Sequence, residues 1–324
     1  MARAVTGGPD TVPKQMRTGP LAAGLPLAVP SGRLGRTSGR TLRESSTPRG
    51  QGAMVALLPG GRLHLQHGPI DIVVEAFGEA QAVRTGYARA AARFATILAE
   101  LVAELPALRT EGAPVAGSIA RRMAAAVAPF RPAFITPMAA VAGAVAEEVL
   151  AALAGPGIAR AYANNGGDIA LWLLPGESLT AALAVTGGLD RVTIRAADPV
   201  RGIATSGWRG RSFSLGIADA VTVLARTAAL ADAAATMIAN AVDLDHPGIG
   251  RRPAREMQCD SDLGHRRVTV FVPVLSASDR RRALDAGLCA AEGFRARGLI
   301  EGAALFLQGD ASATGVPVSG VTGG

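Results

Sequence analysis

Ala220-Val221-Thr222-Val223-Leu224 and, three residues on, Ala228-Ala229-Leu230-Ala231-Asp232-Ala233-Ala234-Ala235-Thr236 decide how this chain is read. The first run is rich in β-branched residues and reads as a strand. The second is almost pure alanine and leucine, and predicts a helix over 228–241. At 3.6 residues per turn, Asp232 and Thr236 share one helix face and present two hard oxygens side by side. Burying an unpaired carboxylate is costly. The face therefore meets a partner or a hard cation such as Mg2+. The plainer alternative is a helix-interior Asp hydrogen-bonded to nearby backbone.

Working outward, strands and helices are mixed without regular βαβ alternation, which predicts an α+β fold. Two strands flank His67-Gly68-Pro69, one through Leu63 and Leu65, the other through Ile70, Ile72 and Val74. Helices are expected over 79–105, 115–128 and 137–153, the last ended by Gly155-Pro156-Gly157. Strands are expected over 159–163, 169–173, 179–185, 192–194, 268–272 and 303–308, with a helix over 279–297. Residues 202–210 read as a glycine-punctuated loop.

The chain of 324 residues has a net charge of +7, but the excess is local. Residues 1–53 carry eight basic and two acidic side chains, and the remainder 25 basic and 24 acidic. A nearly neutral body argues against nucleic-acid binding. Rich in Gly, Pro, Ser, Thr and Arg, residues 1–53 predict a disordered extension. A basic targeting tail is the rival reading, and Met54 is an alternative start. Residues 54–310 are the expected domain, and 311–324 a flexible tail. No apolar stretch suits a membrane span, and 1–30 lacks a secretory pattern. Cys259 and Cys289 have no metal-ligand spacing and read as free thiols in a reducing cytoplasm. His64, His67, His246 and His265 are scattered and make no zinc pattern.

Two polar bends are further candidates. Asn164-Asn165-Gly166-Gly167-Asp168 permits close backbone approach to a ligand, although Asn-Gly hairpin turns need none. Ala204-Thr205-Ser206-Gly207 offers N–H groups and hydroxyls to a phosphate or flavin edge, or is an ordinary loop. No G-x-S-x-G surrounds Ser206, which argues against a serine nucleophile.

Five segments in order resemble an uncharacterised UPF-series family of prokaryotic proteins. They are Thr136-Pro137-Met138-Ala139-Ala140-Val141-Ala142-Gly143-Ala144, Asn165-Gly166-Gly167-Asp168-Ile169, Ala204-Thr205-Ser206-Gly207, Ala218-Asp219-Ala220-Val221-Thr222-Val223 and Leu230-Ala231-Asp232-Ala233-Ala234-Ala235-Thr236. That resemblance runs over 63–308. The family is in turn similar, over 136–240, to ApbE, the FAD:protein FMN transferase that binds FAD and Mg2+ on an α+β scaffold.

The resemblance implies an ApbE-like (T-fold-like) fold of mixed sheets packed with alanine-rich helices. It implies that Asp232 and Thr236 bind the metal with the backbone carbonyl of Ala139. Met138, Gly166, Gly167, Asp168, Thr205, Ser206 and Gly207 would line FAD or a related flavin nucleotide. Two features depart from ApbE. Ala142 stands where a polar residue, often Lys, is usual. Arg211-Ser212-Phe213-Ser214-Leu215-Gly216 replaces a His-containing segment with Asp-Pro-x-Thr-Gly.

Two functions follow as expectations. One is a Mg2+-dependent enzyme acting on a flavin or nucleotide, FMN transfer to a protein acceptor being the strict ApbE chemistry. The other is a non-catalytic flavin- or pterin-binding module in a redox or cofactor pathway. A structural protein with a vestigial site is the third reading. The alanine-rich helices suit either tight packing within the chain or the face of a homodimer.

Overall fold

The computed structural model describes residues 52–185 and 188–315. All but the last two residues of the expected disordered extension, and the end of the expected tail, lie outside the described residues.

In chain order the structure begins with strands β1 (Met54–Leu57), β2 (Leu63–His67) and β3 (Ile70–Gly78), followed by helices α1 (Ala80–Ala103), α2 (Leu105–Leu108) and α3 (Ser118–Val127). A 3-10 turn, Pro137–Ala140, leads into α4 (Val141–Leu153). Strands β4 (Ile158–Asn165), β5 (Asp168–Leu173), β6 (Ser178–Val185), β7 (Gly188–Arg195), β8 (Gly202–Ser206) and β9 (Ala220–Ala225) precede α5 (Ala228–Ala241). Then come β10 (Gly250–Pro253), α6 (Ala254–Met257), β11 (Arg267–Phe271), α7 (Ala277–Ala296), β12 (Gly302–Leu307) and β13 (Asp310–Thr314).

Nine strands form one antiparallel sheet in the order β1-β2-β3-β4-β5-β8-β9-β12-β13. Hairpins β6-β7 and β10-β11 stand apart as two-stranded sheets. Segregated helices on an antiparallel sheet make the fold α+β, as expected. No helix among the described residues is long and apolar enough to cross a membrane.

Strand alternation sorts the side chains into two cores. Leu63, Leu65, Ile72, Val74, Ala163, Ala170, Ala204, Val221, Val223 and Leu305 face the helices. Ile169, Leu171, Leu173, Ile203 and Leu224 face the other way, under hairpin β6-β7, with Tyr162. Helix α1 buries Gly86, Ala90, Phe94, Ile97 and Leu101, a spacing of three and four that makes one apolar stripe.

The alanine-rich helices α4 and α5 pack on each other within the chain. A Cβ at Gly143 would lie 2.2 Å from the carbonyl oxygen of Ala228. From the sheet, a Cβ at Gly202 would lie 2.2 Å from the carbonyl of Thr227. Two glycines thus let α4 and β8 close on the first turn of α5.

Two expectations are corrected. Residues 202–206 are strand β8, not loop: Gly202 is there for contact with α5, and Ile203 and Ala204 are buried in the sheet. Residues 311–314 are not tail but part of β13, paired with β12 from Ala303↔Thr314 to Leu307↔Asp310.

Candidate carboxylate site beneath helices α4 and α5

The bend between β4 and β5 is a two-residue hairpin loop. Gly166 and Gly167 have φ of +65° and +117°, and Gly167 N donates to Asn164 Oδ1 at 2.8 Å. Positive φ at both positions is what a primed hairpin turn requires. The turn places Asn165 opposite Asp168 on the helix-facing side of the sheet. Both are buried. Asn165 Nδ2 donates to the Ala142 carbonyl at 3.1 Å, tying the bend to the start of α4.

Asp168 Oδ1 accepts from Thr205 N at 3.1 Å. Burial pushes its pKa up to about 7, against the opposing effects of that hydrogen bond and the Arg211 charge. Asp232, half-buried on α5, accepts from Gly143 N at 3.0 Å. Desolvation raises its pKa well above the usual carboxylate range, and the charge of Asp168 raises it further. The structure therefore brings these two predicted carboxylates together, one from the sheet and one from α5.

Thr236 lies one turn beyond Asp232 on α5 and is half-buried among Ala233, Ala234 and Ala235. Its hydroxyl forms no hydrogen bond among the described residues. Met138 and Ala139 sit half-buried in the 3-10 turn at the head of α4, which packs against α5. Thr136, just before it, hydrogen-bonds Asp262 from the β10-β11 lobe.

The Thr205-Ser206-Gly207 group is split by strand alternation. Ser206 shares the helix-facing side with Ala204. Thr205 points to the opposite side, where its hydroxyl meets Thr222 Oγ1 at 2.9 Å. Only its backbone N–H serves the carboxylate site. Gly207 is closed off by backbone, since a Cβ there would meet the Asp219 carbonyl at 2.4 Å.

Three further residues shape the site. Asn240 continues the Asp232, Thr236 spacing by one more turn. Its Oδ1 accepts from Leu215 N at 2.9 Å, anchoring the segment after Gly207. The i, i+4 series alone could have revealed it. Glu147 on α4 accepts from Ala229 N at 2.8 Å. Arg211 lies over the bend, its Nη2 at 2.2 Å from where a Gly166 Cβ would stand. Nothing in local sequence announces those last two contacts.

The histidines are engaged elsewhere: His64 with Asp71, His246 with Gly248 N, His265 with Arg255, and His67 against Phe94. Among the described residues no cluster of three His, Cys, Asp or Glu forms. The chemistry on offer is that of two close carboxylates with raised affinity for protons or a cation, edged by hydroxyls, backbone and one guanidinium.

A family model described as AbpE bacteria matches residues 55–313. A UPF0280 protein of Methanococcoides burtonii is similar, 34% identical over 99 residues, which are 29% of this chain and 40% of that protein. The chain thus matches well under half the length of that relative.

Proposed function

From its place in the bacterial AbpE family, a family of ApbE-like proteins to which this chain belongs, we propose that the protein is a Mg2+-dependent enzyme acting on a flavin nucleotide. The reaction proposed is transfer of FMN from FAD to a protein acceptor. The observation that carries this reading is the Asp168–Asp232 pair, two mutually repelling carboxylates set beside the Gly166-Gly167 bend.

The residues fit a hard cation. The donor set is all oxygen, and Asp168 has a second carboxylate oxygen with no hydrogen bond among the described residues. Thr236 adds a hydroxyl without a partner among the described residues, and the Ala139 carbonyl lies on the adjoining turn. Two carboxylates that raise each other's proton affinity are stabilised by whatever positive charge they share. When bound there, Mg2+ would neutralise a pyrophosphate and stabilise charge as a P–O bond breaks.

The chain's own part is to position. Gly167 leaves open space at the bend for a ligand to approach the backbone, Arg211 packs over Gly166, and Ser206 offers a hydroxyl from the helix-facing side of the sheet. Helix α4 and the sheet exclude water from Asp168. Exposed free thiols at Cys259 and Cys289 fit a reducing, cytoplasmic setting.

The test is thermal shift of the full chain with FAD and Mg2+, together, singly and absent, alongside assay of AMP released from FAD. The reading expects a larger rise in Tm with both present than with either alone, and AMP release that Asp232→Ala abolishes. No shift and no AMP overturn it. A second reading, a non-catalytic flavin-binding module, is favoured by one observation: Asp232 already serves the backbone of α4. Flavin binding without AMP release selects it.

A further inference from the structure

The geometry points to Arg211 as the anion-binding residue of the carboxylate site, holding a phosphate group of the ligand against the Gly166 bend. This rests on reading Asp168 and Asp232 as a cation site.

Arg211 is exposed on the segment between β8 and β9, yet its guanidinium lies directly over Gly166. Its charge acts on Asp168. Among the described residues it makes no hydrogen bond or ion pair, so five N–H donors remain for a ligand. Two arginines near it in the chain are engaged within the protein. Arg209 pairs with Asp219, and Arg201 donates to the carbonyls of Asp198, Val200 and Ala196.

The segment is fixed on both sides of Arg211. Trp208 N donates to the Ala218 carbonyl at 3.0 Å, and Leu215 N to Asn240 Oδ1 at 2.9 Å. Asn240 stands on the same α5 stripe as Asp232, so one helix carries a carboxylate and anchors the guanidinium segment.

Charge decides the order of binding. Two ionised carboxylates and one guanidinium leave a net negative site that repels anions. A divalent cation turns the sum to plus one, and an anion then bridges cation and guanidinium. Cation and anion therefore bind cooperatively. Planar and bidentate, a guanidinium suits phosphate oxygens.

The experiment is calorimetry on the full chain with Mg2+ alone, and with inorganic pyrophosphate, FMN and riboflavin, each with and without Mg2+. Wild type is expected to bind pyrophosphate and FMN only with Mg2+. Arg211→Ala should weaken both by about tenfold or more, leaving Mg2+ and riboflavin binding unchanged. Arg211→Lys should fall between, and Arg209→Ala should match wild type. An unchanged metal-free Tm in Arg211→Ala establishes that the variant is folded. FMN and pyrophosphate binding undiminished in Arg211→Ala, or lost equally in Arg209→Ala, overturns the assignment while the flavin reading stands. Mg2+-dependent pyrophosphate binding that needs Arg211, without flavin binding, upholds the assignment and overturns the flavin reading.

Discussion

Asp232 and Glu147 cap each other's helices. Asp232 on α5 accepts from Gly143 N in the first turn of α4, and Glu147 on α4 accepts from Ala229 N in the first turn of α5. The residue before α4 is Ala140, which has no capping side chain, so α4 depends on its neighbour. Helix α5 has Thr227 as well, whose side chain accepts from Leu230 N. Each carboxylate also meets the positive end of a helix dipole.

Glu147→Ala should therefore cost about 1–2 kcal/mol, the usual loss for an N-terminal cap. Glu147→Gln keeps an acceptor and should cost less. Urea denaturation checks both, and equal losses in the two variants would contradict a capping role.

Asp232→Asn separates the cap from the charge. The amide oxygen still accepts from Gly143 N, while repulsion with Asp168 disappears. Metal-free stability at neutral pH should hold or rise, and the stabilisation by Mg2+ with FAD should vanish. Thermal shift reads both effects in one series.

The raised pKa of Asp168, about 7, sets a pH dependence with a definite sign. Between its unfolded value near 4 and 7 the folded state binds more protons than the unfolded one. Metal-free stability from this group is thus complete below pH ~4 and is lost as pH rises through ~7. Glu147, raised by burial, acts in the same direction. The difference between wild type and Asp168→Asn isolates the Asp168 contribution, on the order of a few kcal/mol. A Tm that rises from pH 5 to 8 faster in wild type than in Asp168→Asn would refute the sign.

Strand alternation in β8 predicts unlike behaviour of neighbours. Thr205→Val should leave flavin and Mg2+ binding unchanged, because its hydroxyl faces Thr222 on the other side of the sheet. Ser206→Ala removes a hydroxyl from the carboxylate side and should weaken ligand binding several-fold. Parallel titrations of the two variants check this.

Gly143→Ala and Gly202→Ala should each destabilise by about 2–3 kcal/mol, since the new methyl meets backbone of α5 rather than a movable side chain. Denaturant melts of the single variants measure it. A loss under half a kcal/mol at both would show that α5 shifts freely.

Most of the scaffold was legible because its signals are periodic. The 228–241 helix matches α5 at both ends, and Ile70, Ile72 and Val74 revealed β3. β13 stayed hidden because Asp310–Thr314 is half-buried throughout and lacks an apolar rhythm. β10, Gly-Arg-Arg-Pro, carries no strand signal at all. In β8 the two flanking glycines suggested a loop, whereas Gly202 marks where backbone meets backbone. Of the site, the Asp232–Thr236 face showed in the helical spacing. That Asp168 faces it, that Glu147 answers it and that Arg211 covers Gly166 depend on contacts 37–82 residues apart or on loop path.

The great sheet has a seam. Between β5 and β8 the register pairs are just Ile169↔Ile203 and Ala170↔Gly202 among the described residues, extended by a bond from Leu171 N to the Arg201 carbonyl at 2.9 Å. Asp168 stands on one bank of that short stitch, while Asp232, Thr236 and Arg211 follow in the chain on the other. On the proposed reading, a ligand held from both banks would act as a rivet, adding to the α4–α5 hydrogen bonds that already join the early half of the protein to the late half.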